Sequence, residues 1–68
     1  MVKVEFENRH DVRRVIGECE TEQEAFKIIY DFLKEHNYRS YYTRVNEVDE
    51  HHLWVDVGSH TEFFHIYK

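Results

Sequence analysis

Cysteine occurs once, at Cys19, so no disulfide can close within the chain. A single thiol in a strand-like stretch reads as a small buried hydrophobe, since a nucleophile needs an activating neighbour, and the setting it implies is cytoplasmic. Proline is absent and glycine occurs only at Gly17 and Gly58, which leaves no interdomain linker and no glycine-rich phosphate loop. No apolar run has the length of a membrane span or a secretion signal, and charge arrives by Lys3. Bases are also scarce. Nine Lys and Arg stand against 14 Asp and Glu, for a net charge of −5. The first 34 residues carry six bases and eight acids and the last 34 carry three and six, so neither half is a basic arm. Phosphate binding draws on clustered Lys and Arg, and direct nucleic-acid binding is therefore not expected. No membrane partner is expected either.

What is there suits one small domain spanning 68 residues. At 41% hydrophobic and 34% charged, the chain has enough apolar surface to offset its conformational entropy. A core below roughly 70–80 residues seldom supplies more than ~3–5 kcal/mol, so the margin is thin.

The hydrophobic period changes twice. Val2, Val4 and Phe6 alternate with Lys3, Glu5 and Glu7, the pattern of a strand with one buried face. Residues 8–11 read as a turn and residues 12–20 as a second strand, whose Val15 and Ile16 point to opposite faces and leave its register open. Thr21 and Glu24 have capping-box spacing, with Thr21 accepting from the Glu24 N–H and Glu24 reaching back to Thr21. Ala25, Phe26, Ile28, Ile29, Phe32 and Leu33 then recur at helical spacing to about His36, with Asn37 as the stop. Residues 39–48 read as a third strand, 46–50 as turn residues, and 52–57 as a fourth strand. Gly58 and Ser59 permit a tight turn before a fifth strand at 62–67. The fold class is α+β, in the order β-β-α-β-β-β, an antiparallel sheet with one helix on one face. The expected core joins Phe26, Ile29, Phe32 and Leu33 to Val4, Phe6, Val55 and Ile66.

One helix leaves the other sheet face uncovered. If Leu53, Val55, Val57, Phe64 and Ile66 point inward, then His52, Trp54, Asp56, Phe63, His65 and Tyr67 point away. Trp54, Phe63 and Tyr67 are expected to share that face with Tyr41 or Tyr42, Tyr42 being the preferred candidate, and with Arg44 or Arg14. A second small cluster shielded by Tyr hydroxyls and Arg stems would explain such aromatics. The reading adopted is a protein-binding or self-association surface, since aromatics and Arg are enriched at interface hot spots.

Catalytic and metal chemistry are not expected. Six histidines invite a metal reading, yet His51 and His52 are neighbours on a strand and point to opposite sides. Asp56, Ser59, His60 and Glu62 gather acid, hydroxyl and imidazole about one turn, which offers little pocket; His60 there reads as capping or hydrogen-bonding the hairpin end, with Ser59 binding backbone. No cofactor is implied. Glu18, Glu20, Glu22 and Glu24 run through the strand-to-helix junction, and Glu47, Asp49 and Glu50 sit near a hairpin turn. Solvated faces and helix-dipole roles account for such runs. The sharper reading gives Glu18, Glu20, Glu47, Asp49 and Glu50 a steering role, or a phosphate-like track for a nuclease's basic groove.

The segments SYYTR at 40–44 and DVGSHTEFF at 56–64 resemble parts of small uncharacterised proteins of phages and prophages of Gram-positive bacteria. The resemblance concerns the whole short chain and brings no catalytic or binding residues with it. It implies a phage protein acting in the cytoplasm of a bacterial host, in a group that includes anti-CRISPR inhibitors of CRISPR effector nucleases. The expected function is an inhibitor or adaptor that binds a host protein, a CRISPR nuclease among the candidates. The alternative is a structural phage protein that forms a homodimer or larger homo-oligomer through its aromatic face.

Overall fold

A computed structural model of the protein describes residues 1–36, 43–58 and 61–68. The elements in chain order are β1 (Val2–Glu7), β2 (Arg13–Cys19), α1 (Glu22–Glu35), β3 (Arg44–Asp49), β4 (His52–Asp56) and β5 (Phe63–Tyr67). All five strands form one antiparallel sheet in the order β2-β1-β5-β4-β3, and α1 packs over β2, β1 and β5. The last strand, β5, is thus central and pairs with the first, so that Lys3 stands opposite Tyr67.

Local chemistry accounts for the elements. The β1–β2 hairpin turns on Asn8, whose Oδ1 accepts from the backbone N–H of His10 at 2.8 Å and of Val12 at 3.1 Å. Asp11 takes the left-handed conformation there, φ 61°, which a short polar side chain tolerates. Thr21 is the N-cap of α1, its hydroxyl accepting from the Glu24 N–H at 3.2 Å. The reciprocal arm reaches the Thr21 side chain. The Glu24 carboxylate accepts from the Thr21 hydroxyl at 3.0 Å, since one short hydroxyl can both donate and accept.

The core lies between α1 and the sheet. Val2, Val4, Phe6, Ala25, Ile29, Leu33, Leu53, Val55, Val57, Phe64 and Ile66 are buried, as the alternation within each strand requires. Phe26 and Phe32 are only partly buried: they flank the cluster rather than fill it. Phe32 still joins Phe6 and Phe64 in an aromatic trio, with ring centroids 4.7 and 5.5 Å away. Gly17 faces the helix, where a Cβ would meet Ile28 at 2.9 Å. That close approach lets β2 sit under α1.

Two local expectations need correction. Residues 46–49, of which 46–48 read both as strand and as turn residues, all belong to β3: Val48 bulges between Glu47 and Asp49, and the chain reverses only at Glu50 and His51. Asp49 Oδ1 accepts from the His51 N–H at 2.8 Å and so builds the reversal from its strand end. The fourth strand ends at Asp56 rather than at 57 and the fifth begins at Phe63 rather than at 62; Gly58, φ 92°, donates its N–H to Asp56 Oδ1 at 2.9 Å. Asn37, Tyr38, Arg39, Ser40, Tyr41, Tyr42, Ser59 and His60, and with them the expected helix stop, the start of the third strand and the capping role of His60, lie outside the described residues.

Candidate interaction face

Strand register lays out the sheet face opposite the helix in three rows, each read from β2 to β3. The first holds Glu18, Lys3, Tyr67, His52 and Asp49. The second holds Val15, Glu5, His65, Trp54 and Asn46, and the third Arg13, Glu7, Phe63, Asp56 and Arg44. Trp54, Phe63 and Tyr67 therefore do share one face, and Arg44 sits on its rim. Tyr42 lies outside the described residues.

Arg14 is not on this face. The bulge at Ile16, opposite Val4 and Glu5, shifts β2 by one residue, so Arg14 stands beside Phe6 on the helix side with its guanidinium 5.9 Å from the Phe32 ring centre. Arg13 takes the open side instead.

The centre of the face is a buried imidazole. His65 is 3% exposed although it belongs to the face no helix covers. Its Nε2 lies 2.7 Å from Glu7 Oε1, and its Nδ1 lies 2.8 Å from His52 Nε2. A carboxylate only accepts, so His65 donates through Nε2, its Nδ1 accepts, and neutral His52 donates through Nε2. Arg13 Nε also meets Glu7 Oε1, at 3.3 Å, and Arg13 Nη1 donates to the Tyr67 hydroxyl at 3.0 Å. Tyr67 stacks on His52 at 4.5 Å and 21°, while Lys3 Nζ stands 5.9 Å from the Tyr67 ring centre. No buried side-chain nitrogen or oxygen among the described residues lacks a partner. Burial, and after it the neighbouring His65 imidazole, hold the His52 pKa below the ordinary imidazole value, against the pull of Asp49.

The other half of the face is apolar. Trp54 packs on Phe63 at 4.9 Å, both partly exposed, with Asp56 and Arg44 beyond them. Beside the polar half, a shallow cavity of about 410 Å³ is lined by Asp49, Glu50, His51, His52 and Tyr67.

The acids expected to act together are split. Glu18 and Glu20 are exposed at the β2 edge; Glu47, Asp49 and Glu50 lie at the β3 edge, four strand spacings or roughly 19 Å away. Glu47 stands opposite Leu53, on the helix side, whereas Asp49 faces the open side. One continuous carboxylate track is not formed.

Elsewhere the chemistry is muted. Burial, then Glu24, raise the Cys19 pKa, and its Sγ donates to the Thr21 carbonyl at 3.3 Å, which makes the thiol a weak nucleophile at neutral pH. Among the described residues no three His, Cys, Asp or Glu side chains converge on a point that could hold a metal ion. No described helix is long and apolar enough to cross a membrane.

Reading strands by parity placed the aromatics but missed the network. Glu7 and His65 are 58 positions apart, and only the pairing of β1 with β5 brings them together. The available signal was weak: Glu5 and Glu7 alternate in step with Val4 and Phe6, so some open-face neighbour had to meet them.

No protein-family model, curated protein or solved structure matches the chain.

Proposed function

We propose that the chain is a stoichiometric protein-binding module, an inhibitor or adaptor that docks on a host protein through its open sheet face. One observation carries this reading. Trp54, Phe63 and Tyr67 stand partly exposed on a face that the only described helix leaves bare. Both sheet edges are less suited to binding, since β2 bulges at Ile16 and β3 at Val48, and each carries charge along its length. Flat edge-to-edge pairing is disfavoured by such bulges, which turns attention to the face.

Charge complementarity selects the partner's chemistry. The three rows hold five carboxylates, Glu18, Asp49, Glu5, Glu7 and Asp56, against three bases, Lys3, Arg13 and Arg44. With a net charge of −5 overall, the fitting partner presents a basic surface. The phage resemblance makes a CRISPR effector nuclease the first protein to try, bound in the bacterial cytoplasm. Docking of this kind requires no catalytic step, metal or cofactor.

The test combines solution mass with binding to a purified Gram-positive CRISPR effector nuclease, and with capture from a Gram-positive lysate if that nuclease is not retained. The expected result is a monomer whose binding weakens about 30-fold or more in Trp54→Ala, the effect of truncating a central hot-spot aromatic by ~2 kcal/mol. Phe63→Ala serves as the second variant, with both checked for native circular dichroism. Folded variants that bind as the wild type does would place the function elsewhere. A symmetric dimer that protects Trp54 from quenchers would replace this reading with homo-oligomerisation through the same face.

A further inference from the structure

The geometry points to a proton-controlled latch at the centre of the open face: a second proton on the His52–His65 pair breaks their hydrogen bond, swings His52 away and unpins Tyr67. Its regulatory use, the restriction of docking to neutral and higher pH, rests on the reading of this face as the binding surface.

The proton count sets the two states. In the neutral pair one N–H occupies the 2.8 Å gap between His52 Nε2 and His65 Nδ1. One added proton is tolerated, because it can go to the far nitrogen of His52, or the gap proton can reside on His65 while His52 accepts. With both rings charged, two N–H groups face each other across 2.8 Å, and the contact cannot persist. The two steps then belong to the pair rather than to either residue.

Which ring moves is decided by its surroundings. His65 is buried, and its Nε2 is held 2.7 Å from Glu7, a contact that strengthens when the ring is charged. His52 lines the 410 Å³ cavity together with Asp49 and Glu50, whose carboxylates receive a charged ring. Among the described residues the remaining charged or titratable groups facing the pair are Glu5 and Lys3 on β1, Arg13 on β2 and Tyr67 on β5; His51 borders the cavity from the turn. Arg13 opposes a charge on His52, whereas Glu5 and Asp49 favour it. Movement of His52 removes the ring stacked on Tyr67 at 4.5 Å, leaving Tyr67 to its Arg13 bond and to Lys3.

The experiment follows the imidazole nitrogens of the full chain by NMR from pH 8 to 4.5, alongside Tyr67 ring shifts, the emission of the single tryptophan and far-UV circular dichroism. Trp54 is the cross-strand neighbour of His65, and a charged imidazole quenches indole emission. The expected result is two separated steps for the pair, with Tyr67 shifts moving in the second and the dichroism unchanged. His52→Phe keeps a ring to stack but deletes the bond, and should show one step with no Tyr67 response; His52→Gln replaces it if that variant does not fold. Independent single-step titration of both histidines, or Tyr67 shifts that stay fixed through the second step, would overturn the latch, as would loss of secondary structure in that step. A binding arm uses the partner retained at pH 7.5. Wild-type affinity should fall about tenfold by pH 5, as expected when the competent face drops to about a tenth of the population, while His52→Phe stays flat. Wild-type affinity independent of pH would refute the gating and leave docking intact. Absence of any partner would refute docking and leave the titration to decide the latch.

Discussion

The two faces of this sheet are made by the same strands, one residue out of step, yet they solve different problems. On the helix side Val4, Phe64, Ile66 and Val55 are fully buried and have no polar atom to satisfy. On the open side, burial of His65 is accompanied by a carboxylate, a second imidazole, an arginine and a tyrosine hydroxyl. Apolar contacts are non-directional, so the covered face tolerates exchange among hydrophobes of similar volume. The hydrogen-bonded face is directional, and removing a single partner leaves the others unsatisfied. Stability should therefore reside chiefly on one side and recognition on the other.

The sharpest way to break that contrast is to truncate one aromatic on each face. Phe64→Ala should cost about 3–5 kcal/mol, as much as a domain of this size has to lose, and leave the chain largely unfolded by circular dichroism. Phe64 is wholly buried and touches the rings of Phe6 and Phe32. Trp54→Ala, which removes a partly exposed ring from Phe63, should cost about 1 kcal/mol of stability while weakening partner binding far more. If urea melts showed equal losses for the two variants, the division of labour between faces would be wrong.

Next in size is the carboxylate beneath His65. Glu7→Gln keeps the shape but removes the charge that His65 and Arg13 both address, and should lower stability at pH 7.5 by about 1–3 kcal/mol. A urea midpoint within error of wild type would mean that the network orders nothing the sheet does not already order. Smaller again is the helix cap. Thr21→Ala should cost about 1 kcal/mol, because the Glu24 N–H loses its only side-chain acceptor, and the loss should appear in stability and not in binding.

The contrast between faces also explains what could be read from the chain before its structure. Period-two alternation is a local signal, and it placed Leu53, Val55, Val57, Phe64 and Ile66 inward and Trp54, Phe63 and Tyr67 outward. The cap at Thr21 and the stripe from Ala25 to Leu33 are equally local. Bulges are not. Nothing in RRVIG marks Ile16 as the inserted residue, so Arg13 and Arg14 could not be assigned to faces, and Val48 was hidden in the same way inside a run that reads as turn. The polar centre was harder still, since a histidine on an open face is ordinarily solvated and only the β1–β5 pairing supplies Glu7. The aromatic anchors were thus legible one strand at a time, whereas the network that holds Tyr67 in place depends on strand order.

The smallest expected effect is the pH dependence of stability, and its sign follows from His52. The folded protein holds this imidazole below its ordinary value, mainly through burial and then through the neighbouring His65 imidazole. Between the unfolded value near 6.5 and the lowered folded value, the unfolded chain binds more protons than the folded one. Stability from this group is accordingly full above about pH 6.5 and is lost as pH falls through the folded value. Urea unfolding at intervals from pH 8 to 5 should show a plateau and then a decline, and His52→Phe should flatten the decline. A wild-type curve that rises from pH 7 to pH 5.5 would mean that the charged form of His52 is favoured by folding. The open face would then be a site that gathers protons, contrary to the balance of burial and charge around His52.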